Sequence, residues 1–302
     1  MSVLDEAQEL LECHLRVRGE RRIYIAPSEL EIARRLGRQP PPGEVRWFPS
    51  SEYLRQGIEA ALDWVATPAT SDPLRLLVLG DRQTAASVDE VRGRIAAVAA
   101  DPHAATFTIA VWWESPSAFR LMSLGLSTGN ISLAEGGADL AGGSWQTTYE
   151  ALLEQLRSAA EWAAYGFIKR GRRPKDILYS SLTYDWLPAM HYGSYNLGNS
   201  VYEDVLASDA FGAQLFGSGY AGRIPSDPDW TREDLEEDAT LVLHQDPGAW
   251  YGRPLPPITP EDCIARDPSY PTPEVVVRAR EAFAGILLTA DVRRKGALDP
   301  LA

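Results

Sequence analysis

The stretch TFTIAVWWESPSAFRLMSLGLSTGNISL, residues 106–133, decides the fold class. Thr106 to Trp113 is rich in β-branched and aromatic residues, which predicts a strand. Phe119 to Leu126 and Asn130 to Leu133 predict two more, joined as a hairpin at Ser127-Thr128-Gly129. Strands joined this tightly run antiparallel. Leu74 to Leu79, Ala210 to Phe216 and Thr240 to His244 add shorter strand signals.

Helical patterns surround these strands without strict alternation. Ser2 with Asp5 opens a first helix, with Leu4, Ala7, Leu11 and Leu15 on one face. Ser51 caps a second that carries Leu54, Ile58, Ala61, Leu62 and Val65. Ser87 with Glu90 forms a capping-box pattern before Val88, Val91, Ile95 and Val98. Thr147 with Glu150 opens the longest stripe, Leu152 to Phe167, with Lys169 and Arg170 near its end and Gly171 as its stop. Thr272 and Pro273 open the last, with Val276, Ala279, Phe283 and Leu287 on one face. The expected fold is α+β, a mixed and largely antiparallel sheet flanked by helices. The Gly-rich segment Ala138 to Ser144 divides the chain into two lobes, 1–145 and 146–302, which can share one sheet. Seven prolines between Pro254 and Pro273 predict an extended surface segment.

Composition narrows the function classes. The chain has 302 residues, 45 % hydrophobic and 24 % charged, with a formal net charge of −13. That balance argues against general nucleic-acid binding and favours basic partners. Cys13 and Cys263 form neither a metal knuckle nor a disulfide framework, so a reducing compartment fits. The N-terminus lacks the order of a signal peptide, and no apolar run reaches the ~20 residues of a membrane span. A cytoplasmic location is the expectation.

Several motifs suggest chemistry but lack its context. Gly217 to Gly222 matches GxGxxG, yet Arg223-Ile224-Pro225 follows where a phosphate-binding helix is required, so a turn leaving a strand is expected. Gly125-Leu126-Ser127-Thr128-Gly129 matches GxSxG. A hydrolase would pair Ser127 with His191 or His244, oriented by Asp185 or Asp246. The residues after Gly129 read as a returning strand rather than a helix, which favours a hairpin turn. Tyr165 and Lys169 have the Tyr-x-x-x-Lys spacing of short-chain reductases on an expected helix, without a preceding glycine fingerprint. The four histidines show no ligand spacing. No catalytic residue, cofactor or metal is assigned.

Two regions suggest binding. Tyr179 to Gly222 holds six of the twelve tyrosines, one tryptophan, two phenylalanines and six glycines. Tyr and Trp give large contact areas at low entropic cost. Ser226 to Asp238 follows, with seven carboxylates and one arginine. The expected partner-binding residues are Tyr184, Trp186, Tyr192 and Tyr195, with Glu233, Asp234, Glu236 and Glu237. The basic run KRGRRPK, 169–175, reads as a helix C-terminus continuing into a solvated loop. The acidic run is an exposed loop, a docking surface, or a neutralising partner for that basic run.

From Tyr149 onward the order of elements resembles a known group. It runs through a helix ending in Trp162 to Phe167, a Tyr- and Trp-rich segment with Leu182-Thr183-Tyr184-Asp185-Trp186, a Phe-Gly-x-Gln-Leu strand at Phe211 to Leu215, Leu241 to Pro247, and a closing helix ending Gly285-Ile286-Leu287-Leu288. This order resembles bacterial immunity proteins found beside polymorphic or type VI secreted toxins. The resemblance implies an α+β protein that binds a cognate toxin, a basic or toxin-like protein partner, and blocks it without chemistry of its own. The alternatives are a small-molecule hydrolase using Ser127, and a scaffold component of a secretion or defence assembly.

Overall fold

A computed structural model of the chain describes residues 7–40, 43–67, 74–78, 81–84, 87–99, 108–115, 118–126, 128–137, 140, 145–174, 204–253 and 273–288. Twelve strands and six α-helices are described. The strands are β1 (Ala7–Val17), β2 (Gly19–Tyr24), β3 (Glu44–Pro49), β4 (Arg75–Val78), β5 (Asp81–Thr84), β6 (Thr108–Glu114), β7 (Ala118–Gly125), β8 (Asn130–Gly137), β9 (Ala163–Pro174), β10 (Ala213–Phe216), β11 (Trp230–Asp234) and β12 (Thr240–His244). The helices are α1 (Pro27–Arg35), α2 (Ser51–Ala66), α3 (Val88–Ala99), α4 (Gln146–Ser158), α5 (Gly248–Tyr251) and α6 (Glu274–Phe283).

Ten strands make one sheet in the order β11-β12-β10-β9-β1-β8-β7-β6-β4-β5, and β2 with β3 makes a separate ribbon. Every neighbouring strand pair is antiparallel. The fold is α+β, and the sheet is continuous across position 145 because β1 pairs β8 on one side and β9 on the other.

The expected N-terminal helix is instead β1, at the middle of the sheet. Leu11 and Leu15 fit both a helical and an alternating pattern. β1 pairs with β9 along its length and with β8 from Leu10 to Arg16, and a strand held on both sides buries more than a lone surface helix could. Leu11, Cys13, Leu15 and Val17 form one apolar row, each fully buried. Leu10, Glu12, His14 and Arg16 face the other way, since side chains alternate along a strand.

The helix opened by Thr147 is also shorter than its stripe predicts. α4 ends at Ser158, a 3-10 turn covers Ala159–Glu161, and Ala163 begins β9. Tyr165 and Lys169 therefore share a strand face, not a helix face. Residues 169–174 of the basic run belong to β9 as well, so they are no helix C-terminus. Lys169 pairs with Glu12 at 3.4 Å, and Arg170 pairs with Glu9. Those two cations are neutralised by β1, not by the acidic run.

α2 and α4 pack on the Leu11–Leu15 face, in one cluster with Ile58, Leu62, Leu152 and Leu156. Gly57 permits the close approach of α2, because a Cβ there would lie 2.7 Å from Ile131 Cδ1. On the opposite face α6 sets Phe283 against Trp230 and Phe216, with ring centroids 4.9 and 6.1 Å apart. At the other end of that face Leu10, Trp112, Phe119 and Leu121 form a separate buried cluster. Ser87 accepts the Glu90 amide at 3.2 Å, as the capping pattern predicts. Ser50, not Ser51, occupies the cap position of α2 and makes no side-chain cap bond.

Candidate functional site

Half of the expected partner-binding surface is described. Tyr184, Trp186, Tyr192 and Tyr195 lie outside the described residues, as do Ser127, Asp185, His191 and the proline segment 254–272. The acidic run is described in full, and it is not a loop. Its centre is β11, the terminal strand of the sheet, which leads into a tight turn to β12. The hydrophobic anchor Trp230 is buried, while Thr231, Arg232, Glu233 and Asp234 are exposed. Trp230 packs edge-on to His244 at 5.0 Å and to Trp250 at 6.1 Å. This fixes one end of the strand to the core while the rest stays in solvent.

The four expected acids divide into two pairs. Glu233 accepts from Arg157 of α4, with Nε and Nη2 both at 3.1 Å. Its hydrogen bond pushes the Arg157 guanidinium pKa further up. Glu237 accepts from Arg18 Nη1 at 3.1 Å, and Arg18 Nη2 also donates to the Glu237 carbonyl. Both carboxylates hold the hairpin onto the body. Glu237 and Asp238 sit at φ of 58° and 57°, a left-handed turn that non-glycine residues adopt only where neighbours hold it. Arg18 supplies that hold. Asp234 receives only a 3.5 Å contact from Thr240 Oγ1, and Glu236 and Asp238 have no ion pair among the described residues. From β11 to the end of its turn, the carboxylates left for a partner are therefore Asp234, Glu236 and Asp238.

A second feature escaped the sequence reading. A cavity of about 820 Å³ opens between the β2–β3 ribbon, the start of α2 and the turn after β10. Trp47, Phe48 and Tyr53 supply its aromatic wall, and Arg18, Arg22, Glu20 and Asp204 its charges. Arg21 pairs with Asp204 at 3.2 Å, and burial still pushes the Asp204 carboxyl up against the pull of Arg21. Arginines stack on rings throughout this ribbon, Arg16 on Trp47 at 4.9 Å and Arg46 on Tyr24 at 3.9 Å. The signal was present in RVRGERR, 16–22, which puts four arginines into an acidic chain.

The described residues of the motifs form turns and strands. Gly217 to Gly222 is a turn leaving β10, with a three-residue 3-10 segment at Ser218–Tyr220 and no following α-helix to receive a phosphate. Gly125 and Gly129 flank the β7–β8 hairpin turn, where the Gly129 amide bonds the Gly125 carbonyl at 2.8 Å. β8 and β12, which carries His244, are four steps apart in the sheet, on the order of 19 Å along it. His244 bonds the backbone of Asp246 through Nδ1 at 3.0 Å, not its carboxylate.

A buried polar row crosses the middle of the sheet on the α6 face. His14 Nδ1 lies 3.2 Å from Ser132 Oγ and its ring stacks on Phe167 at 5.0 Å. Burial drives the His14 imidazole down to about 4, partly opposed by Glu12 and aided by Lys169 and Arg16. Burial raises the Glu12 carboxyl, but Lys169, His14 and Ser132 together outweigh it and leave it below the usual range. Asp209, fully buried, is gripped by Arg280 of α6 at 2.8 and 2.6 Å. Among the described residues no group of His, Cys, Asp and Glu is placed to hold a metal ion, and no helix is long and apolar enough to cross a membrane. Comparison with family models, curated proteins and solved structures finds no match to this chain.

Proposed function

We propose that this chain is a non-enzymatic protein-binding protein of the cytoplasm, an immunity-type antagonist that binds a cognate bacterial toxin through a basic surface and blocks it. The observation that carries the reading is the exposed acidic edge, where Asp234, Glu236 and Asp238 project from a hairpin that Arg18 and Arg157 hold rigid. A fixed cluster of exposed charge speeds encounter with an opposite charge and costs little side-chain ordering on binding. The sequence resemblance from Tyr149 onward favours an immunity protein among binding proteins, although the helix it expects through Phe167 is strand β9 from Ala163.

The test uses the protein encoded beside this one. Co-expression with the chain should relieve that protein's toxicity, and the purified pair should associate. Asp234→Lys with Glu236→Lys should slow association about ten-fold at low salt, and the difference should shrink as salt screens it. An association rate that does not change at low salt removes the acidic edge from the interface.

The cavity beside the ribbon favours a second reading, a small-ligand binding protein, since its volume and mixed aromatic and polar walls suit a small molecule. Native mass spectrometry of the chain isolated from its host should then show an added mass that Tyr53→Ala with Arg22→Ala abolishes. A chain of bare mass from every preparation rejects this reading.

A further inference from the structure

Among the described residues the outer side of β11 is open, and its hydrogen-bonding groups can be assigned. Gln245 donates to the Asp229 carbonyl at 2.9 Å, and Leu235 donates to the Ala239 carbonyl at 2.8 Å. Trp230 faces His244 and Asp234 faces Thr240 in the register between those two bonds. In an antiparallel pair the bonded and non-bonded residues alternate. Residues 229, 231, 233 and 235 therefore carry the ladder to β12, and the N–H and C=O groups of Arg232 and Asp234 point away from it. Among the described residues no strand lies beyond β11 in the sheet, and neither amide has an intramolecular partner.

We propose that β11 is a strand-addition site that takes an extended, basic segment of a partner protein. The inference rests on the protein-binding reading above and says how that partner is held. Backbone groups of Arg232 and Asp234 would bond the incoming strand, as in other cases where a peptide extends a sheet. Charge selects the occupant. Asp234, Glu236 and Asp238 are exposed around the open edge, while the one cation on the strand, Arg232, turns its guanidinium to the Ile224 and Pro225 carbonyls. Lysines or arginines on the incoming strand meet these acids. A second copy of β11 would set acid against acid, so the same charges disfavour self-pairing.

The probe is a capped hexapeptide of alternating lysine and valine, measured by fluorescence anisotropy against the full chain. It should bind, and the matching glutamate-valine peptide should not. N-methylation of every backbone amide keeps the charge and removes all the donors of the strand, and should weaken binding at least about ten-fold. Arg232→Pro, which deletes an outward amide and leaves the ladder to β12 intact, should weaken it similarly, whereas Arg232→Ala should not. Equal binding of the N-methylated and parent peptides to the wild-type chain overturns strand addition, as does the lack of any binding by the lysine-valine peptide. The two readings fail separately. A chain that relieves toxicity but ignores N-methylation keeps its proposed function and loses this site. A chain that discriminates the peptides but gives no relief keeps the site and loses the toxin.

Discussion

The centre of the sheet and its β11 edge use charged residues in opposite ways. At the centre, Glu12 and Lys169 face each other with side chains 14 % and 6 % exposed, and Glu9 pairs diagonally with Arg170 on the opposite face of the sheet. Each charge has its own partner, because an unpaired charge at that depth costs several kcal/mol. At the edge, Asp234, Glu236 and Asp238 stand in solvent, where an unpaired carboxylate is stable. Central charges are thus committed to the fold, while edge charges remain available to a partner. The test of this contrast is that the two sets separate stability from binding.

The largest effect is expected at the centre. Lys169→Met strands the Glu12 carboxylate and should lower stability by about 3–5 kcal/mol in urea unfolding. Adding Glu12→Leu to it should restore most of the loss, since the pair is then replaced by apolar contact. No recovery in the double variant would mean that the pair contributes more than it costs to desolvate.

A pH dependence comes next. His14 titrates at about 4 in the folded chain against an ordinary 6.5, so the unfolded chain takes up its proton first as pH falls. Stability should be full above pH 6.5 and decline toward pH 4, by at most about 2 kcal/mol between 6.5 and 5. Glu12, held low, adds its own loss only below its unfolded value of 4.5. His14→Gln should flatten the decline from 6.5 to 5 in melting curves recorded across that range. A slope identical to wild type would place the titrating group elsewhere.

The contrast sharpens at the latch between the two regions. Arg18→Ala releases the Glu237 turn and should cost about 1 kcal/mol, with faster amide exchange in 235–239 but not in β9. The smallest effect is expected at the edge itself. Asp234→Asn with Glu236→Gln should move stability by no more than ~0.5 kcal/mol. A substantial destabilisation there would mean that the edge acids are structural, like the central ones.

Local signals were legible in the chain and distant ones were not. The hairpin of β7 and β8 was read from adjacent residues, because its turn, its register and its alternation all lie within Ala118–Gly137. α2 and α3 were likewise readable from a cap and a periodic stripe. β1 and β9 were misread as helix, since Leu11 and Leu15, or Ala163 and Phe167, satisfy a helical repeat as well as other patterns. Their partners lie far along the chain, as with Glu12 and Lys169, and a window of a dozen residues cannot include them. β11 hid inside a run of acids, because edge strands carry polar residues on both faces and lose the alternation that marks half-buried strands.

The sequence by itself determined the class, α+β with an antiparallel core, and the presence of an acidic segment free of catalytic context. Only the tertiary structure decided which acids are free. Glu233 and Glu237 differ from Asp234 and Glu236 in nothing the sequence displays. They are set apart by Arg157 and Arg18, which approach from 76 and 219 positions away. Electrostatic pairing depends on distance in space, and the chain's own order carries no record of it until the sheet closes.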